Sequence, residues 1–140
     1  MMVGSRTHTL LFPLLLLASL MVVSEGTWDL KYRHVYIKNG LDNHTILRFR
    51  CKSADDDLGT QNLKYDEEFK FQFRPSIFTN TVFHCSFTWD GKYRTFPIYD
   101  FKRDENSCHD CYWSIKQNFP CRFDNKTQGY DFCAFDYGFN

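Results

Sequence analysis

Six cysteines, a triple acid and a few histidines are the residues of this sequence with chemistry to offer. The cysteines are Cys51, Cys85, Cys108, Cys111, Cys121 and Cys133. Cys108 and Cys111 form a Cys-x-x-Cys pair, a spacing shared by redox centres and by half a zinc site. A redox pair draws its reactivity from a lowered thiol pKa, commonly at a helix N-terminus. Here Cys111, Trp113 and Ile115 alternate with other residues, so a strand follows instead. Zinc asks for a second ligand pair at matching spacing, and Cys51, Cys85 and Cys121 stand singly. The reading is structural disulfides, with no metal and no cofactor. Six cysteines allow fifteen connectivities. Inward-facing cysteines on different strands are placed to cross-link a core, which makes Cys85 with Cys111 the trial pairing; the others stay open.

The triple acid is Asp55, Asp56 and Asp57. Clustered carboxylates suit hard cations such as calcium. The same residues also read as a solvated loop, residues 52–68, in which six acids and two lysines leave a net charge of −4. Beyond residue 26 there are four histidines, His34, His44, His84 and His109. Acid–base cleavage of RNA needs two positioned histidines and a cation. His84 falls on the polar side of its alternating run and the rest fall at strand ends or in loops. No Gly-x-Ser-x-Gly nucleophile elbow is present. No catalytic set emerges, and the sequence reads as a non-enzyme.

Those residues need a scaffold, and period two supplies it. Aromatic residues make up 19% of the chain, with 15 phenylalanines. Phe83, Cys85, Phe87 and Trp89 alternate with His84, Ser86 and Thr88. Val35 and Ile37, then Leu47, Phe49 and Cys51, then Phe69, Phe71 and Phe73, and finally Cys121 and Phe123 follow the same rule. Alternation of this kind marks strands with one wet face and one buried face. Asp90-Gly91 is a two-residue hairpin signal, in a register that sets Cys85 opposite Phe96 and Phe87 opposite Arg94. Asn39-Gly40 ends the first strand, and Arg74-Pro75-Ser76 breaks the run that ends at Phe73. No helical stripe is visible. The expected fold is all-β, a disulfide-bonded antiparallel β-sandwich of about eight strands in one domain.

The N-terminus sets the compartment. Arg6 precedes an apolar run from Leu10 to Val23. Those fourteen residues fall short of the ~20 that a transmembrane helix needs. A basic start, a short leucine-rich stretch and then small residues read as a signal peptide over residues 1–26, cleaved after Gly26 or Ser24. Residues 27–140 are then secreted as a single domain, and an even cysteine count fits an oxidising compartment. Two Asn-x-Thr sequons, at Asn43 and Asn125, offer N-glycosylation sites. The chain holds 17 basic and 17 acidic residues, and removing Arg6 and Glu25 with the leader leaves 16 of each. That balance lacks the basic field of a nucleic-acid binder and the polybasic patch of a membrane binder.

On these residues the chain resembles a known family. Cys51-Lys52-Ser53-Ala54 followed by Asp55-Asp56-Asp57-Leu58-Gly59 is similar to the C-x-S-x-DDDLG signature of plant S1-type self-incompatibility proteins. Val35-Tyr36-Ile37-Lys38-Asn39 resembles their opening V-x-I-x-N strand, and Phe69-Lys70-Phe71 their F-x-F. Thr81 with Phe83, Cys85, Phe87 and Trp89 resembles T-x-F-x-C-x-F-x-W. Cys108, Cys111, Trp113 and Ile115 resemble C-x-x-C-x-W-x-I, and Pro120-Cys121 the closing P-C. The likeness covers about residues 33–124. Two departures stand out. Phe119 replaces the glycine usual before Pro-Cys, and residues 124–140, with Cys133, run past the family core.

The resemblance implies a secreted β-sandwich with hydrophilic loops that acts as an extracellular recognition or signalling ligand, as in rejection of self pollen, with the process for this chain left open. Its implied partner is a plasma-membrane receptor on another cell, with no membrane insertion, no nucleic acid and an open oligomeric state. The expected contact surface is loops, residues 52–68 with Asp55, Asp56 and Asp57, and residues 100–107. The alternatives are a secreted inhibitor or antimicrobial protein, or a carbohydrate-binding module using Tyr32, Tyr36 or Tyr65.

Overall fold

The computed structural model describes residues 31–76 and 78–139. The proposed signal peptide lies outside the described residues. Period two becomes strand wherever it was visible. β1 (Arg33–Asn39), β2 (Leu47–Lys52) and β5 (Val82–Trp89) bury every second residue. β4 (Glu68–Phe73), β7 (Asp110–Ile115) and β8 (Pro120–Asp124) complete the runs that alternation marks, and β6 (Lys92–Asp100) is the second arm of the hairpin that Asp90-Gly91 predicts.

Two further strands bring the described total to nine. β3 (Asp57–Leu63) and β9 (Gly129–Phe132) lie at sheet edges and carry almost no buried residue. The middle of the expected loop 52–68, residues 57–63, is therefore β3, paired with β2, and only a turn separates the two strands. Its sequence, DLGTQNL, has no apolar alternation, since an edge strand over a wet face needs none. Residues 100–107 also differ from the expected loop. They hold a single helical turn, α1 (Phe101–Asp104), with Asp100 as its N-cap.

The strands form a five-stranded sheet, ordered β4-β1-β7-β8-β9, and a four-stranded sheet, ordered β3-β2-β5-β6. Every pairing is antiparallel except β1 with β7. The β5–β6 hairpin has the predicted register, Cys85 opposite Phe96 and Phe87 opposite Arg94. Asp90 and Gly91 both take positive φ, +48° and +70°, as a type I′ turn requires. Phe119 keeps a negative φ, so the turn into β8 has no need of glycine.

The sheets meet through aromatic rings. Phe49 of β2 packs edge-on to Phe69 of β4, Phe71 and Phe73 of β4 touch Phe83 of β5, and Phe96 of β6 meets Trp113 of β7. Ring pairs at 4.7–5.6 Å are within the favourable range for such contacts. The tail beyond β8 joins this core. Phe135 packs on Phe96 and Trp113, Tyr137 lies against Phe87, Trp89 and Phe96, and Gly138 pairs with Thr95 of β6.

The disulfides correct the trial pairing. Cys85 is joined to Cys51, its opposite residue in the β2–β5 register, with Cα atoms 4.0 Å apart. Cys111 is joined to Cys108, and Cys121 to Cys133. Cys85 and Cys111 both lie on the core side, as alternation predicts, and both are buried. They belong to different sheets, however, and facing sheets stand ~10 Å apart. A cross-strand neighbour within one sheet is nearer.

Candidate recognition site

The triple acid divides into two parts. Asp57, first residue of β3, is held by Arg50 of β2. The Arg50 Nε donates to Oδ1 at 3.1 Å, and Nη2 donates to Oδ2. The Gly59 amide donates to the same Oδ1 at 3.0 Å. These donors, Arg50 first, lower the Asp57 pKa from 3.8 to about 2. Asp57 is thus a structural residue that ties β3 to β2. All three acids are exposed, but Asp55 and Asp56 precede the strand and stand in the β2–β3 turn. The turn closes on itself. The Ser53 amide donates to the Asp56 carbonyl at 2.8 Å, and the Asp56 amide donates to the Ser53 hydroxyl at 3.1 Å. Among the described residues no group of three or more His, Cys, Asp or Glu is arranged to hold a metal ion.

Across from this turn run the described residues of the β4–β5 connection, 74–76 and 78–81. Between them is a cleft of about 430 Å³. Asp55, Asp56, Lys52, Arg74 and His84 line it, over a floor that includes Phe73 and Phe83. The cleft is preformed because its walls are satisfied by their own hydrogen bonds. The Ser76 amide donates to the Thr81 hydroxyl at 2.9 Å, and the Ser76 hydroxyl accepts from the Phe78 and Thr79 amides. Asn80 bonds Asp100 and accepts from the Lys102 amide, both at 3.0 Å. The expected contact segment at residues 100–107 therefore acts as a brace for this loop.

Phe78 stands beside the cleft and is 90% exposed. An aromatic side chain left in water at a braced loop is the type of residue that anchors interfaces. Sequence reasoning missed it. Arg74-Pro75-Ser76 marked the loop, but Phe78 has no alternating neighbours to set it apart from core phenylalanines.

The other residues of interest scatter. His34 places Nδ1 2.9 Å from Asp110 and Nε2 3.1 Å from Gln72, on the outer face of the five-stranded sheet. His44 packs edge-on to Tyr65. His84 is in β5 at the cleft, and the His109 carbonyl accepts from the His34 amide. Tyr32 and Tyr65 are exposed. Tyr36 stacks on Tyr112 at 4.1 Å, with the Lys70 ammonium near its ring, so its faces are taken and it offers no open platform for a sugar. Asn43 and Asn125 are exposed in turns. No helix among the described residues is long and apolar enough to cross a membrane.

Comparison with known proteins gives a consistent result. Residues 34–135 match the family described as plant self-incompatibility protein S1. The chain is similar to three Arabidopsis thaliana proteins. S-protein homolog 5 is 43% identical over 59% of this chain and 64% of its own length. S-protein homolog 2 is 41% identical over 72% and 66%. S-protein homolog 4 is 36% identical over 94% and 92%. The chain thus spans just under two thirds of the length of the first two. In fold it resembles a solved structure described as SPH (self-incompatibility protein homologue) proteins, a widespread family of small, highly stable, secreted proteins from plants. That likeness has a TM-score of 0.50 and 21% identity, covering 66% of this chain and 84% of the other.

Proposed function

The chain belongs to the plant self-incompatibility protein S1 family, whose members are secreted, and from that premise we propose that it is an extracellular recognition ligand whose contact surface is the cleft between the β2–β3 turn and the β4–β5 loop. Its partner is a plasma-membrane receptor on another cell. One observation carries the reading: Phe78 stands in water beside a preformed, charge-lined cleft. Interfaces are built around such aromatic anchors, with a polar rim that excludes water. Asp55, Asp56, Lys52 and Arg74 supply that rim, and loops on a rigid scaffold vary without unfolding it. The protein acts by binding and not by catalysis in this reading, because the four histidines stand apart, in β1, in β5 and in two separate loops, and the thiols are bridged. The exposed Asn43 and Asn125 carry N-glycans in this reading.

The test is binding of labelled protein to plant cell surfaces. Truncating an anchor costs about 2 kcal/mol or more, roughly thirtyfold in affinity. Phe78→Ala is expected to lose that much with an unchanged melting temperature. Replacing residues 52–56 and 74–81 with those of a homologue is expected to redirect binding to that homologue's target cells. If Phe78→Ala binds like the parent and the chimera keeps the parent's cells, the contact surface is elsewhere.

A further inference from the structure

The outer face of the four-stranded sheet is independent of that anchor. Register sets its side chains in three rows. Asn62, Arg48, Thr88 and Tyr93 form the first, and Thr60, Arg50, Ser86 and Thr95 the second. Asp57, Lys52, His84 and Pro97 form the third, which ends at the cleft. The cations thus stand at alternate positions of β2, ~7 Å apart along a straight line. Three cations face one carboxylate, giving this face a charge of +2 with His84 neutral, in a chain whose total is zero. The corresponding outer face of β4, β1 and β7 is balanced, with Lys38 and Lys70 against Glu68 and Asp110.

The face also shows its own binding mode. Arg50 grips the Asp57 carboxylate through two guanidinium nitrogens, the fork geometry that suits arginine to carboxylates. Among the described residues Arg48 and Lys52, on either side of it, form no ion pair, although Lys52 lies opposite Asp57 in register. Beside them Thr60, Asn62, Ser86, Thr88 and Thr95 present hydroxyl and amide groups, and Tyr93 is half exposed. Such groups hydrogen-bond to the hydroxyls of a sugar. The rows offer no aliphatic cluster that could serve as the apolar centre of a protein interface.

We propose that this face binds a linear polycarboxylate, an acidic polysaccharide of the extracellular space, laid along β2 with its carboxylates on Arg48 and Lys52. Binding is electrostatic and weakens with salt. It would hold a secreted ligand near the surface on which it acts and leave Phe78 free.

The probe is oligogalacturonate, with dextran of equal length as the neutral control, titrated into the full secreted protein. Binding is expected at about 50 mM salt, falling several-fold by about 200 mM. Arg48→Gln and Lys52→Gln are each expected to weaken it roughly fivefold. Lys38→Gln and Lys70→Gln, on the other sheet, leave it unchanged, as does Phe78→Ala. Arg50 is left intact because it anchors β3. Four results would overturn the proposal: no binding at low salt, equal retention by dextran, equal loss in the Lys38 and Lys70 variants, or tighter binding to single-stranded DNA of the same charge.

Discussion

Asp104 shows how one residue organises a buried corner of the molecule. Its carboxylate has no exposure and accepts from Arg103 twice at 2.7 Å, from Arg122 at 3.1 Å and from the Asp100 amide at 2.9 Å. Both guanidinium groups lie over Trp113 and Phe135, at 5.2–5.7 Å from the ring centres. Every charge here is paired, which is the condition for burying it at tolerable cost. Asp104→Ala would leave two guanidinium groups facing a vacated site. A loss of about 3–5 kcal/mol is expected, read from the midpoint of guanidinium unfolding. Sequence reasoning gave residues 100–107 to a charged contact loop. It had no means of seeing that Asp104 points inward, because the arginine that helps bury it comes from β8, 18 residues on.

Among the elements, the tail does more than its sequence announces. The likeness read from the sequence stops near residue 124, but the family match runs on to residue 135, and this stretch supplies β9, the Cys133 half of the Cys121–Cys133 bridge, and the ring of Phe135 against the core, with Tyr137 just beyond. Tyr137 is the closing piece. Its ring meets Phe87, Trp89 and Phe96, and its hydroxyl donates to the Lys116 carbonyl at 2.7 Å. Burial pushes its pKa well above the ordinary tyrosine range, so it stays neutral. Tyr137→Phe, which removes one hydrogen bond, is expected to cost about 1 kcal/mol. Tyr137→Ala, which opens a cavity, is expected to cost about 3 kcal/mol or more. Phe139→Ala, which removes only an exposed ring over Arg94, should cost less than about 1 kcal/mol. Chemical denaturation of the three variants checks the order.

For the whole molecule the disulfides set the margin of stability. The bridges close loops of very different span, with separations of 34, 12 and 3 residues for Cys51–Cys85, Cys121–Cys133 and Cys108–Cys111. If they act by restricting the unfolded chain, they contribute about 4, 3 and 2 kcal/mol in that order. Replacing each pair with serine in turn should lower unfolding free energy in that sequence. A greater loss from Cys108–Cys111 than from Cys51–Cys85 would show that native packing, and not chain entropy, dominates. The total stability of a domain this size is about 5–15 kcal/mol, so removing the longest bridge alone takes a large part of it.

What the sequence by itself determined is everything that local pattern encodes. Alternation placed β1, β2, β4, β5, β7 and β8, and Asp90-Gly91 fixed the β5–β6 register, because burial on one face imposes period two and a two-residue turn fixes pairing. The same patterns in order carried the family. Tertiary structure decided what depends on neighbours distant in the chain. It made Cys51 the partner of Cys85, since cross-strand distance is a property of sheet order and not of spacing. It turned residues 57–63, expected as part of an acid-rich loop, into edge strand β3, whose sequence has no apolar alternation. It also divided the triple acid by function: Asp57 holds Arg50, while Asp55 and Asp56 face the cleft. Phe78, identical in type to the core phenylalanines, was set apart only by the fold, which leaves its side chain in water.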